Sequence, residues 1–200
     1  MLDLDFVRSQ FPAFSHPESR DWAHLENAGG SYVPTHVIDT LHHFFTATKV
    51  QPYWDFAPSR AAGESMDLAK RRLPATFNAN RDEVHFGPST TQNTYVLANA
   101  LRPEVGDGDE IIVTNQDHEA NIGAWRRLAA EGVAIREWSV DPSSGLLDIE
   151  SLSPLLNDRT VLVAVTHASN VAATLNPIRK IAEMAHAVGA LTVVDGVSYA

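Results

Sequence analysis

The chain has 200 residues, a net charge of −10, 44% hydrophobic residues and 20% charged residues. This is the composition of a folded globular protein that is long enough to form a core. The negative charge argues against nucleic acid as the main partner, because phosphate contacts require Lys and Arg.

The residue types also exclude several kinds of site. The sequence has no Cys, so disulfides and thiolate metal sites cannot form within it, and no metal site is expected. No apolar run reaches the roughly 20 residues of a membrane span. The acidic start MLDLDFVRSQF lacks the basic and apolar segments of a signal peptide. We therefore expect a cytoplasmic protein that does not contact the membrane.

The N-terminal part predicts helices joined by loops. A short helix begins at Asp3, and HLENAGG (24–30) predicts a brief strand that leads into a glycine turn. A second helix over 34–49 has Pro34 in its first turn. The apolar spacing of that helix predicts an inner face formed by Val37, Ile38, Leu41, Phe44 and Phe45. A third helix carries Met66, Ala69 and Leu73. That helix should end or kink at Pro74.

From Glu83 onward, strand and helix patterns alternate. Strands are predicted at 83–87, 110–114, 134–140, 160–167 and 190–195. Helices are predicted at 90–101, 120–131, 148–156 and 177–188. This alternation is typical of an α/β domain with a largely parallel sheet. The last two strands are continuously apolar, which predicts that helices cover both of their faces. Because ligands of such sheets bind beyond the carboxyl ends of the strands, functional residues should follow the strands.

Three hydroxyl residues follow shortly after the strand predicted at 83–87. Ser89, Thr90 and Thr91 open the next helix, where hydroxyls often serve only as caps. Free N–H groups and the helix dipole at such a start also form a cradle for an anion such as phosphate. The sequence has no GxGxxG and no GxxxxGK[ST], which argues against a dinucleotide or nucleoside triphosphate site.

Single polar residues follow three of the later strands. His118 lacks the spacing of a metal ligand. It is either a surface or core residue without a role in binding, or its ring faces a flat ligand. Asn170 either stabilises a tight turn or donates to a ligand hydroxyl. Asp195 ends the last strand, where a carboxylate is costly unless it is paired. Its partner is either a structural cation such as Arg179 or Lys180, or the protonated ring nitrogen of a cofactor.

Five stretches together resemble the class V aminotransferase and cysteine desulfurase family of pyridoxal-phosphate enzymes, which have fold type I. They are HLENAGGS (24–31), STTQNTYVLAN (89–99), GDEIIVTNQDHEANIGAW (108–125), THASNVAATLNPI (166–178) and VVDGVSYA (193–200). The resemblance spans nearly the whole chain. It implies a three-layer α/β/α large domain with a mostly parallel sheet, incomplete in this chain. Residues 1–22 would be an N-terminal arm that packs with a small domain outside the chain, and residues 23–200 would be the first part of the cofactor-binding domain.

The resemblance also implies pyridoxal 5'-phosphate as the cofactor and a role for each matching residue. Thr90 and Thr91 would bind its phosphate. His118 would stack over the ring and take part in proton transfers. Asn170 would bind the phenolic oxygen of the ring and lie near the substrate carboxylate. Asp195 would pair with the pyridinium nitrogen, which makes the ring a better acceptor of electrons.

The same resemblance implies binding roles for three further positions. Ala28 and Gly29 would contact the substrate together with Asn170. The family usually reads Asp-Gly-Ala-Gln at the last strand end, but this chain reads DGVS over 195–198. Ser198 therefore stands where the family has a Gln that contacts the phenolic oxygen. Either a water bridges the gap or Asn170 acts alone, and the subfamily stays open.

The lysine that forms the Schiff base in the family lies on a later strand. None of Lys49, Lys70 and Lys180 follows a strand of the sheet in that way. We therefore expect this lysine, the arginine that binds the substrate carboxylate and any catalytic cysteine to lie outside these 200 residues, in the rest of a longer enzyme.

The implied function is that of a cysteine desulfurase-like enzyme that cleaves the C–S bond of a small amino acid and transfers the sulfur. A lyase, epimerase or aminotransferase of the same family is one alternative. A non-catalytic fragment or binding protein with this fold is another. The family also implies a homodimer with its active site near the interface, and a sulfur-acceptor protein as a further partner.

Overall fold

The computed structural model describes residues 2–200, which form two compact units that meet in sequence between Phe86 and Gly87. The described part of the first unit contains helices and turns but no strand. Its α-helices are α1 (Leu4–Ser9), α2 (Thr35–His43) and α3 (Ala57–Thr76). Of the helices in residues 2–200, none combines the length and the apolar character that a bilayer span needs.

Two predictions for the start of the first unit have different outcomes. Helix α1 is confirmed, and the Asp3 side chain caps it by accepting a backbone N–H at 3.0 Å. The strand predicted within residues 24–30 is wrong. The N–H groups of Gly29 and Gly30 donate to the Glu26 carbonyl at 3.1 and 3.2 Å, so the backbone folds back on itself instead of extending. The glycine turn is confirmed.

The two longer helices differ from their predictions in detail. Helix α2 begins just after Pro34 and passes into a π-helical turn at Phe44–Thr48. Its predicted inner face is wrong for the described residues, because all five apolar side chains remain exposed, by 36% at Val37 up to 61% at Phe45. Nothing in residues 2–200 covers them fully. Helix α3 continues two residues past Pro74, the position where it was predicted to end or kink.

The second unit, Gly87–Ala200, is built on a four-stranded parallel sheet in the order β2-β1-β3-β4. The strands are β1 (Glu110–Thr114), β2 (Ala134–Trp138), β3 (Thr160–Thr166) and β4 (Leu191–Asp195). The helices are α4 (Thr90–Leu101), α5 (Glu119–Arg126), α6 (Ile149–Leu152) and α7 (Ile178–Ala187). Short 3-10 turns extend α5 through Glu131 and α6 through Leu155. The predicted parallel α/β sheet is confirmed.

Helices cover the two faces of this sheet, which gives three layers. Successive side chains of a strand point to opposite faces. Ile111 of β1 therefore joins a cluster with Trp125 of α5, whereas its neighbour Ile112 joins a second cluster with Ile181 of α7. All four of these side chains are at most 1% exposed. Burial of such large apolar side chains supplies most of the stabilising free energy of the unit.

Two strand predictions are wrong. The segment 83–87 forms no strand, because Arg81–Glu83 make a 3-10 turn and no described strand pairs with the residues that follow. Strand β4 exists, but its faces are not both covered as predicted. It lies at an edge of the sheet, and Leu191 and Val194 are 52% and 38% exposed. Strand β3, the other continuously apolar strand, lies between two neighbours and is largely buried as predicted.

A buried acid fixes the amino end of the sheet. Glu110, at the start of β1, accepts hydrogen bonds from the guanidinium of Arg136 in β2 and, at 2.8 Å each, from Arg159 Nη2 and Asn157 Nδ2 ahead of β3. The bonds from Arg136 outweigh the effect of burial and lower the pKa of Glu110 to about 2. This cluster holds three strand starts together at the edge opposite the candidate site.

Candidate functional site at the carboxyl edge of the sheet

The strand order changes direction between β1 and β3. The chain leaves β1 for β2 on one side and then returns to place β3 on the other side of β1. Open α/β sheets bind ligands at such a switch point, beyond the carboxyl ends of the strands. Asn115–His118 follow β1, His167–Asn170 follow β3, and Thr166 pairs with Asp195 of β4. The sheet therefore carries three of the predicted strand ends to one edge.

A buried amide network joins the loops after β1 and β3. Gln116 Nε2 donates to the Gly145 carbonyl at 2.8 Å and to Thr174 Oγ1 at 3.0 Å. Asn176 Nδ2 donates to Gln116 Oε1 and to the Thr166 carbonyl, both at 2.8 Å. Gln116 and Asn176 are 9% and 5% exposed. The network fixes the spacing of the two loops that carry His118 and Asn170. Sequence reasoning missed both amides.

Asp117 is a second residue that sequence reasoning missed. Burial raises the pKa of its carboxyl to about 6, and the negative charge of Asp195 adds to the rise, whereas Asn121, the backbone of Thr166 and the Thr114 hydroxyl act in the opposite direction. Its Oδ2 accepts only a long bond of 3.4 Å from Thr114. Its Oδ1 is buried and makes no hydrogen bond within residues 2–200, and neither does Asn121 Nδ2. Asn121 thus lies beside the carboxyl without a well-formed bond to it.

His118 occupies the N-cap position of α5. Its Nδ1 accepts the N–H of Ala120 at 3.0 Å, while the ring itself is exposed. A neutral imidazole that accepts at one nitrogen carries its proton at the other. Neutral His118 therefore presents an N–H at Nε2, and its orientation is set by the helix that it caps.

Asp195 stands at the end of β4 without a cation. Its carbonyl accepts the N–H of His167 at 2.8 Å, and its Oδ1 accepts the N–H of Val197 at 2.9 Å. The side chain is half-buried. Within residues 2–200 no ion pair reaches it: Arg179 forms none, and Lys180 pairs with a glutamate of α6. The structural cation considered as its partner is therefore not found there.

Asn170 and Ser198 lie on loops that flank Asp195. Asn170 is half-buried in a tight loop that is closed by a bridge between Ala168 and Leu175. Ser198 is exposed in the turn after β4. His167 and Tyr199 join these two loops, because their rings stack with centroids 3.5 Å apart.

The start of α4 has a cap that is not one of the predicted threonines. Ser89 is the N-cap, and its Oγ accepts the N–H of Gln92 at 3.2 Å. Thr90 and Thr91 are the first two helical residues and are exposed. Across residues 2–200, their backbone N–H groups have no hydrogen-bond acceptor. They are the donors that a helix start leaves open for an anion.

Ala28 and Gly29 belong to the first unit. They lie in the turn over residues 27–29, in a stretch outside the sheet-containing unit that carries the other predicted site residues. Their predicted contact with the substrate stays a prediction.

These features define an α/β domain with acidic, imidazole and amide groups at a switch point and open donors at a helix start. The sequence model of the aminotransferase class-V family matches residues 23–200, and the chain belongs to this family. The family's cofactor is pyridoxal 5'-phosphate. The groups present suit it: unpaired N–H groups suit a phosphate, an exposed imidazole suits a ring, and a half-buried carboxylate without a cation suits a protonated ring nitrogen.

Several known proteins are similar to this chain. An aminotransferase-like protein of Gibberella zeae is 39% identical over 206 residues, which cover 100% of this chain and 50% of that protein. A cysteine desulfurase of Haloferax volcanii is 30% identical over 213 residues, which cover 98% of this chain and 50% of that protein. The solved structure of a cysteine desulfurase from Thermococcus onnurineus matches with a TM-score of 0.87 at 22% identity, over 98% of this chain and 48% of that one, which shows the fold. The chain thus spans about half the length of these relatives.

Proposed function

We propose that this chain is the part of a cysteine desulfurase-like enzyme that binds pyridoxal phosphate, and that the enzyme cleaves the C–S bond of a small amino acid and transfers the sulfur. One observation carries the proposal. Asp195 ends a strand as a half-buried carboxylate with no cation within residues 2–200, and it acts electrostatically on a second acid, Asp117. The negative charge of Asp195 disfavours the ionised form of Asp117. A cationic ring nitrogen against Asp195 supplies the charge that the site lacks.

The residues at the strand ends divide the binding of the cofactor among them. The open N–H groups and hydroxyls of Thr90 and Thr91 receive the phosphate, where the helix dipole of α4 favours a dianion. Asn170 contacts the phenolic oxygen and the substrate carboxylate. Ser198 is too short to reach as far as a glutamine, so Asn170 has the larger share of that contact. The bound group supplies an electron sink for the reaction at the α-carbon.

His118 and Asp195 do the chemistry that these residues contribute. The proton at His118 Nε2 lies on the exposed side of the ring, since Nδ1 is held by the Ala120 N–H. His118 therefore covers one face of the cofactor ring and exchanges protons from that nitrogen. Asp195 keeps a proton on the ring nitrogen by pairing with it. The Schiff-base lysine stays predicted outside these 200 residues.

The reaction within the family has a second candidate. The relative with 39% identity is named as aminotransferase-like, which supports transamination of a small amino acid in place of C–S cleavage. A lyase or epimerase reaction uses the same groups. Incubation of the full-length protein with cysteine and with a set of other amino acids separates these reactions. C–S cleavage with sulfur transfer yields alanine and sulfane sulfur, which an added thiol reductant releases as sulfide, whereas transamination yields an oxo acid.

The assembly and the location are proposed from the family. The enzyme is a cytoplasmic homodimer with its site near the interface, and it passes sulfur to an acceptor protein. Residues 1–22 form the arm and 23–200 the first part of the cofactor-binding domain. Light scattering of the full-length protein tests the dimer, and a fully active monomer would refute it.

A variant at Asp195 tests the cofactor site. Asp195→Asn keeps the shape of the side chain and removes the charge that pairs with the ring nitrogen. Loss of one partner of a partly buried pair costs about 3 kcal/mol, which is about a hundredfold in turnover. Asp158→Asn, at an exposed acid of the same unit, is the matched control. If Asp195→Asn turns over like the control, Asp195 does not contact the ring nitrogen.

A further inference from the structure

Asp117 is a partly buried acid for which the proposed site has so far no use. Thr114 of β1, Asn121 of α5 and the backbone of Thr166 in β3 face it with uncharged groups, and Asp195 of β4 faces it with a charge. One of its oxygens is buried and without a hydrogen bond within residues 2–200. An ionised carboxylate in such surroundings is short of donors and is repelled by its neighbour.

The position of this acid is fixed from both sides. Gln116, the residue before it, is held by three hydrogen bonds to the loops after β2 and β3. His118, the residue after it, is held as the cap of α5. These bonds fix the backbone on both sides of Asp117.

Asn121 can serve either protonation state of the Asp117 carboxyl. Its Nδ2 is buried without a partner and suits an ionised carboxylate as a donor. After a half-turn of the amide, its oxygen suits a protonated carboxyl as an acceptor. The pair is thus built to gain or lose one proton without a larger rearrangement.

We propose that Asp117 is a positioning residue that couples cofactor binding to the release of one proton, acting through Asp195. Below about pH 6, Asp117 holds a proton while Asp195 stands without a cation. When a cationic ring nitrogen pairs with Asp195, the repulsion that favoured this proton is offset, the O–H bond of Asp117 breaks, and the proton passes to solvent. The proposal rests on the proposed cofactor site.

The physical support comes from linkage. The pKa of Asp117 is about 6 without the cofactor, chiefly because of burial, and a cation beside Asp195 lowers it by offsetting the repulsion that adds to the rise. Binding that releases a proton becomes weaker as the pH falls. If the pKa falls by about one unit on binding, the affinity drops by about fivefold between pH 7.5 and pH 5.

The experiment measures the dissociation constant of pyridoxal phosphate at pH 7.5 and pH 5, by spectral titration of the full-length protein and of Asp117→Asn. The phosphate of the cofactor titrates in the same range, but it does so equally in both proteins. We expect the ratio of the two constants to be about five times larger for the wild type than for Asp117→Asn. The exposed control Asp158→Asn should keep the wild-type ratio.

A second measurement needs no variant. Carboxyl carbon NMR of the wild-type protein should show Asp117 titrating near pH 6 without cofactor and at least one pH unit lower with it. Equal ratios in wild type and Asp117→Asn, or an unchanged NMR midpoint on binding, would overturn this inference and leave the cofactor site standing. Failure of the wild type to bind pyridoxal phosphate at either pH would overturn both.

Discussion

Replacement of Asp117 by Asn should stabilise the cofactor-free protein at neutral pH. Ionisation of Asp117 opposes folding, because its pKa rises from the ordinary 3.8 to about 6 in the folded state. The penalty is absent below about pH 3.8, grows as the pH rises, and is complete above about pH 6. At about 1.4 kcal/mol per pH unit, it amounts to about 3 kcal/mol at pH 7.5 and to about half of that at pH 5.

Asn removes this penalty and keeps the size of the side chain. Part of the gain is offset, because the new amide must also find partners beside Asn121 and Thr114. We expect a net gain of about 1 to 2 kcal/mol at pH 7.5, or about 2 to 8 °C in melting temperature for a domain of this size. At pH 5 the penalty is only about 1.5 kcal/mol, so the same offset should leave a net gain close to zero.

Urea denaturation followed by circular dichroism at both pH values measures these gains in cofactor-free protein. Asp158→Asn serves as the control, since this acid is exposed. A variant that is no more stable than the wild type at pH 7.5 would show that Asp117 ionises without cost. A gain of equal size at both pH values would show that it arises from packing and not from charge.

Three further predictions concern separate parts of the second unit. Thr91→Ala should weaken pyridoxal phosphate about tenfold by spectral titration with little change in melting temperature, whereas Ser89→Ala, at the actual cap, should cost about 1 kcal/mol of stability. Glu110→Gln should cost about 1 to 2 kcal/mol in urea denaturation at pH 7. That cost should shrink as the pH falls from about 4.5 towards about 2, where the wild-type acid also loses its charge. Gln116→Leu should lower stability by about 2 to 3 kcal/mol, because it removes one of the two acceptors of the buried Asn176 amide and the side-chain donor to the Gly145 carbonyl.

Local signals in the sequence were sufficient for much of the sheet-containing unit. Helix α4 was predicted with its observed bounds, 90–101, because a run of hydroxyl residues stands at its start and Pro103 follows its end. Strand β1 also has its predicted bounds, 110–114. The predicted site residues after β1, β3 and β4 fall at one edge, since parallel strands share the direction of their carboxyl ends. The roles given to those residues stay predictions.

The wrong predictions and the missed site residues depend on contacts between residues that are far apart in the sequence. The segment 83–87 has the composition of a strand, but a strand also needs a neighbour, and residues 2–200 offer it none. The face of α2 has the right period for burial, but the period does not say what covers it. Gln116 accepts a hydrogen bond from Asn176 because β1 lies beside β3 in the sheet. The charge of Asp195 acts on the pKa of Asp117 because β4 is the next strand after β3. No local pattern marks such pairs.

The strand order also bears on how the sheet forms during synthesis. As the chain emerges, β1 and β2 can pair first, and each later strand then finds an edge that is already present: β3 joins β1, and β4 joins β3. Only β3 pairs with a strand other than the one that precedes it in the chain. A ribosome-bound chain can thus complete the buried amide network before β4 leaves the ribosome, and Asp195 joins the sheet after β3. The repulsion between the two acids arises only after the loops that hold Asp117 have closed.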